Sequence, residues 1–418
     1  MAKIKKSISN INPWMIWLPA AFFYCYQFML RVSPSVMAED LMREFSLDAA
    51  AFGSLTAFYY YSYSTLQIPL GILADYFGPR RLLTAAVLLC ASATVLFALS
   101  TNLHVAQLGR LLIGAGSSCA FLGAMKLGTL WFDPKKLPLI TGATMFLGTT
   151  GANFGGAPLR MLANSYDWRT SLLIVAGFGV LIAAGIWKFS KDEGLSDSKP
   201  VEKGSLLNGL KLALQTKQVW LGALYGFLLY TPLSAFADLW GTSFIISAYG
   251  ISAVEASAYV NFIYIGLAGG ALFFAWMVEN LTTMRQGLSI ATVGVTLALG
   301  IVILVPNLPL WVTCSCLLIT GFMIGGQFLC FSFTCSHMPV QYSGATIGFT
   351  NMSCMISGVL LQPLVGVVLD SFWGGEMNNG VRIFATEDYR FALTIIPICT
   401  FLAFLVSLLL KDAPETKA

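Results

Sequence analysis

Twelve stretches of this chain stay apolar for about 20 residues each, the length an α-helix needs to cross a bilayer. They run approximately over 14–38, 50–73, 82–101, 104–131, 138–163, 168–189, 218–242, 253–278, 287–305, 309–334, 341–369 and 389–410. Lipid offers no partner to backbone polar groups, so every crossing must be a helix or part of a closed barrel. A barrel would show shorter segments of strict alternation, which these runs lack. Only 11% of residues are charged and the mean hydropathy is +0.75, against about 25% charged in soluble domains. The predicted fold class is an all-α polytopic membrane protein.

Between the sixth and seventh runs lies KFSKDEGLSDSKPVEKGS, the one long polar stretch, followed by a short amphipathic piece. It divides the chain into a six-helix bundle over 1–190, a linker over 191–217 and a second six-helix bundle over 218–418. Cytoplasmic loops of membrane proteins are enriched in Lys and Arg. With the N-terminus in the cytoplasm, 16 of the 24 Lys and Arg residues fall inside. These include Lys3, Lys5, Lys6, Arg80, Arg81, Lys135, Lys136, Arg285, Lys411 and Lys417. Five fall outside: Arg43, Arg160, Arg169, Arg382 and Arg390. Both termini are therefore expected in the cytoplasm. The apolar run from Trp14 is too long for the core of a cleavable signal and has no small-residue cleavage site.

The strongest punctuation is GILADYFGPRR, residues 71–81, between the second and third runs. Gly71 and Gly78 allow close packing and a tight turn. Asp75 is placed to accept hydrogen bonds from a neighbouring helix N-terminus. The second half carries a decayed copy, AWMVENLTTMRQ, with Glu279 and Arg285 at nearly the offsets of Asp75 and Arg81 but without the glycines. Duplicated halves joined by a linker predict two pseudo-symmetric bundles that rock about a site near the bilayer midplane.

Three cations lie inside runs: Arg31, Arg110 and Lys126. A charge at bilayer depth costs at least ~2.5–3.5 kcal/mol and usually faces a cavity or a partner. Arg31 lies roughly 10 Å from the outer end of its helix at 1.5 Å per residue, with Gln27 and Tyr24 on the same face. Arg110 reaches a similar depth from its own end. Two guanidinium forks at one level suit a carboxylate or phosphate. Asp238 is the one carboxylate well inside a run of the second half and is the proton-coupling candidate. Thr56, Tyr60, Tyr63 and Gln67 form one stripe of the second run. Tyr230, Asn261, Tyr264, Gln327 and Asn351 are polar candidates from the second half, with interhelical hydrogen bonding the alternative use for each.

GILADYFGPRR resembles the signature loop of the major facilitator superfamily at Gly71, Ala74, Asp75, Gly78, Arg80 and Arg81. RLLIGAG, with Arg110, Gly114 and Gly116, and GTTGANFGGAP resemble that superfamily's second and third motifs, in the expected order. The resemblance implies twelve transmembrane helices and secondary active transport by alternating access. Arg31 after a tyrosine-rich turn is similar to the organic-anion branches, including organophosphate antiporters and anion:cation symporters. The latter share an arginine in the fourth span with a basic residue sixteen positions on, as Arg110 and Lys126 stand here. Where they carry a coupling glutamate this chain has Ser117, and where they carry an acidic neighbour to the first arginine it has Leu30. The opening helix is also similar to bacterial intraphagosomal amino-acid transporters.

The chain shows no P-loop, no metal-ligand spacing and no nucleophile with a nearby His and acid. Its nine cysteines all fall in apolar runs and read as small buried hydrophobes. No enzyme activity, cofactor, metal or nucleic-acid partner is expected. The expected function is proton-coupled import of a small anionic or zwitterionic metabolite by a monomer in a bacterial inner membrane. Export of a drug or polycarboxylate siderophore, and a non-transporting nutrient sensor, are the alternatives.

Overall fold

The computed structural model describes residues 12–191 and 205–412. Lys3, Lys5, Lys6, Lys417 and residues 192–204 of the linker lie outside the described residues, as do the side chains of 71–77, Asp75 among them.

The first half comprises α1 (Pro13–Val36), α2 (Ala38–Phe45), α3 (Ala49–Phe77), α4 (Pro79–Leu99), α5 (Leu103–Ser117), α6 (Cys119–Trp131), α7 (Leu137–Gly155), α8 (Ala157–Ser165) and α9 (Trp168–Phe189). The amphipathic α10 (Ser205–Gln215) falls within the linker, and the second half continues with α11 (Lys217–Leu229), then a π-helical segment over Pro232–Trp240. It continues through α12 (Gly241–Tyr249), α13 (Ala253–Val260), α14 (Phe262–Asn280), α15 (Met284–Leu304), α16 (Leu310–Ile324), α17 (Leu329–Ser336) and α18 (Ser343–Phe372). A small hairpin follows, β1 (Met377–Asn378) against β2 (Val381–Arg382), then α19 (Thr386–Leu393) and α20 (Ile395–Leu409).

Among the described residues these helices form twelve rods, in the order of the twelve apolar runs. Nine are long and apolar enough to cross a membrane. The other three, α1, α3 and α7–α8, carry Gln27 and Arg31, the tyrosine and serine run, and a Gly/Thr/Asn-rich stretch. Among the polar groups that lower their hydropathy, Gln27, Arg31, Ser62, Ser64, Thr144 and Thr149 are buried. Six rods are interrupted where the sequence suggests continuous helices. The breaks fall at Ser118, Gly156, Asn261 and Thr394, at the π segment, and at a 3-10 turn over Gly325–Phe328. Interior breaks are tolerated because neighbouring helices satisfy the freed backbone groups.

Local chemistry sets the helix ends. The Asn12 side chain accepts from the Trp14 N–H, with Pro13 in the first turn. Asp48 accepts from the Ala51 N–H at the start of α3. Gly78 takes φ 77°, a conformation only glycine adopts without strain, and Pro79 opens α4 directly after it.

The two halves meet along the antiparallel pair α3 and α18. A Cβ at Gly53 would collide with the Gln362 carbonyl, and one at Gly366 with the Ala49 carbonyl, so the backbones touch. Gly53→Val should lower the thermal stability of the purified protein by about 1–3 kcal/mol, the usual effect of overpacking. An unchanged melting curve would show that this contact can separate at no cost.

Charged side chains gather at the two ends of the rods. One end carries Arg80, Arg81, Lys135, Lys136 and Arg285; there the Arg285 N–H bonds Asp412 and its guanidinium the Leu408 carbonyl, while Glu279 is exposed. At the opposite end all five arginines expected outside meet carboxylates. Arg43 and Arg160 pair with Asp40, Arg169 with Glu44, Arg382 with Asp370 and Arg390 with Glu387.

Candidate functional site

At the centre of the rods Arg31 meets Asp238. Arg31 Nε lies 3.2 Å from Asp238 Oδ2, with the side chains 2% and 0% exposed. Arg31 comes from the last third of α1 in the first half. Asp238 comes from the π segment of the second, within the most buried of the nine apolar rods. π turns inside α-helices are frequent at functional sites.

Each charge has further partners. Arg31 Nη1 donates to the Tyr230 hydroxyl at 2.8 Å, and its guanidinium lies 4.0 Å from the centre of the Phe28 ring. The Tyr60 hydroxyl donates to Asp238 Oδ2 and the Tyr264 hydroxyl to Asp238 Oδ1. The carboxylate is therefore held by one phenol from each half and by the guanidinium. Arg31 Nη2 is buried and has no hydrogen-bond partner among the described residues. A buried guanidinium donor without an acceptor is costly, and a carboxylate or phosphate oxygen is the acceptor that complements it.

Arg110 stands beside this cluster rather than in it. Its Nη1 donates to the Leu30 carbonyl at 2.9 Å and its guanidinium lies over Tyr59. The Tyr59 hydroxyl donates to Gln27 Oε1 at 2.7 Å. Tyr59 stacks on Tyr63 and meets Tyr60 edge-on. The two-arginine fork suggested by the sequence thus becomes one arginine–aspartate pair, with Arg110 holding the α1 backbone one residue before Arg31.

The remaining candidates spread out. Tyr24 contacts Met145, Phe28 and Phe121, and Lys126 is partly exposed on α6. Asn261 donates to the Asn153 carbonyl of the other half at 3.2 Å. Gln327 donates to the Gly226 carbonyl at 3.4 Å, and Asn351 is partly buried on α18. Thr56 bonds its own helix at Phe52 and Gly53, and Gln67 is partly exposed near the basic end of α3. Sequence reasoning missed Phe28 and Tyr59. Phe28 lies three residues before Arg31, the spacing that puts a ring beside a cation on one helix face.

A family model described as Major Facilitator Superfamily matches residues 18–362. The uncharacterised transporter YybO of Bacillus subtilis (strain 168) is 27% identical over 273 residues, 60% of this chain and 61% of that protein. The hexuronate transporter of the same strain is 22% identical over 267 residues, 62% and 63%. The chain thus spans less than two thirds of the length of these two relatives. In fold, the chain is similar to a bacterial homologue of the human lysosomal transporter Spinster, solved inward-facing and unoccupied. That likeness has TM-score 0.77 at 19% identity and covers 98% of this chain and all of that one. A match over most of the chain, on twelve rods in two halves, makes this protein a member of the major facilitator superfamily.

Proposed function

We propose that the chain is a secondary active transporter that moves a small organic anion or zwitterion across a bacterial inner membrane by alternating access. The observation that carries this reading is Arg31: a buried cation tied to the other half through Asp238 and Tyr230, with Nη2 unpartnered among the described residues. A substrate carboxylate has an acceptor for Nη2 and competes with Asp238 for the rest of the guanidinium. Asp238, left buried without its counter-charge, then takes up a proton. The load is one anion and one proton, and the reading is import driven by a proton gradient. The names of the relatives support an organic anion, since one is a hexuronate transporter.

The basic end faces the cytoplasm in this reading, with both termini inside and the protein a monomer. In this reading Asp75 is the residue that holds the inner ends of the helices together when the cavity faces outward, with Arg80, Arg81, Glu279 and Arg285 as further members of that gate.

A thermal-shift screen of the purified protein tests the substrate class, because a ligand that binds the fold raises its melting temperature by mass action. Hexuronates, monocarboxylates, amino acids and phosphate esters form one arm, and lipophilic cations the other. Stabilisation by an anion, followed by its accumulation in proteoliposomes acidified outside, is the expected result. Stabilisation by lipophilic cations alone would replace this reading with that of a drug exporter.

A further inference from the structure

We infer that Asp370, at the last turn of α18, is the latch that closes the outer face of the transporter. Its position as outer rests on the orientation proposed above; the contacts themselves do not.

A helix leaves its first N–H groups without intrahelical acceptors. At the start of α3 the Ala49 N–H donates to Asp370 Oδ1 at 3.1 Å and the Ala50 N–H to Asp370 Oδ2 at 2.7 Å. Asp48 of the same half serves only the next group, Ala51. One carboxylate of the second half thus caps a helix of the first, where the helix dipole also favours negative charge. Arg382, on the hairpin strand β2, donates from Nη1 to Asp370 Oδ1 at 2.9 Å, and its guanidinium stacks on Trp373. The hairpin therefore straps the carboxylate in place.

The surroundings make the latch cooperative. Gly366, four residues before Asp370, lets the α18 backbone touch the Ala49 carbonyl, so the halves cannot part slightly while keeping the cap. Beneath the strap lies a cavity of about 260 Å³ between the halves. Ser35 and Arg160 line it from the first half; Trp240, Ser247, Arg382 and Tyr389 from the second. Trp240 donates to the Gln362 carbonyl at 3.0 Å and stands two residues from Asp238. An outward-open state has to break both cap bonds and join this cavity to the Arg31–Asp238 site.

The test measures labelling by a membrane-impermeant maleimide, from outside for Ser35→Cys and in inside-out vesicles for Gln67→Cys. Asp370→Ala in the full-length protein should raise the Ser35→Cys rate about tenfold, the scale of a lost helix-end charge, and lower the Gln67→Cys rate. Asp370→Asn, which keeps the side-chain volume, should change both rates in the same directions by less. Arg382→Ala, which leaves the cap bonds intact, should give a smaller rise again. An unchanged Ser35→Cys rate in Asp370→Ala overturns the latch. So does a rise at both positions, which reports a loosened fold. Labelling of Ser35→Cys only from the inner side overturns the orientation instead and leaves the transporter reading standing.

Discussion

Arg31→Ala abolishes concentrative uptake of the anion and at the same time destabilises the protein. The two effects have different causes. Transport is lost because the neighbouring guanidinium does not replace it: Arg110 is held by the Leu30 carbonyl and lies over Tyr59. Stability falls because Asp238, fully buried, keeps Tyr60 and Tyr264 but loses its counter-charge. Breaking a buried pair from one side costs about 3–5 kcal/mol. A charge-neutral double variant separates the two effects. Arg31→Gln with Asp238→Asn should recover most of the melting temperature, since no lone charge remains, yet transport nothing. Arg31→Lys should retain weak activity at best, because an ammonium cannot offer the planar fork. Uptake that survives Arg31→Ala in proteoliposomes would remove Arg31 from the substrate site.

Asp238→Asn has the second-largest expected effect, and of a different kind. The amide keeps the size of the side chain, with its one oxygen still accepting from one of the two phenols and its NH2 donating to the other, but it binds no proton at physiological pH. Anion exchange between the two sides of the membrane should persist in this variant, while accumulation against a gradient stops and uptake loses its dependence on external pH. Arg31, no longer paired, should bind the anion more tightly, since the substrate no longer competes with a carboxylate. Proton-driven accumulation at the unaltered level in Asp238→Asn would place the coupling proton elsewhere.

The fold was legible because its cause is local: lipid demands long apolar helices, and GILADYFGPRR, RLLIGAG and GTTGANFGGAP mark the order of the rods. Arg31 and Asp238 were legible singly, each as a charge that lipid would not tolerate. Their pairing was not, because they lie 207 residues apart and only the packing of α1 against the π segment brings them together. Arg110 misleads for a related reason. Its depth matches that of Arg31, but a guanidinium also satisfies a carbonyl, and spacing along a helix does not say which acceptor it will find. Asp370 carries no such mark in the sequence, where it simply follows the eleventh apolar run. What marks it is the α3 N-terminus it faces across the halves, a feature of tertiary structure alone.

The Arg31–Asp238 pair also bears on membrane voltage. One elementary charge moved through the full field is worth about 2.3 kcal/mol per 100 mV. With the guanidinium ionised and the carboxylate as its counter-ion, the empty centre carries no net charge through these two groups. When a monoanion arrives with one proton, the sum is again zero. Neither the loaded nor the empty reorientation then moves charge across the field at this site, so a monoanion should be carried electroneutrally. Accumulation would follow the pH difference and stay indifferent to the potential. A substrate bearing a second negative charge would carry that charge uncompensated and would be the one to feel the voltage.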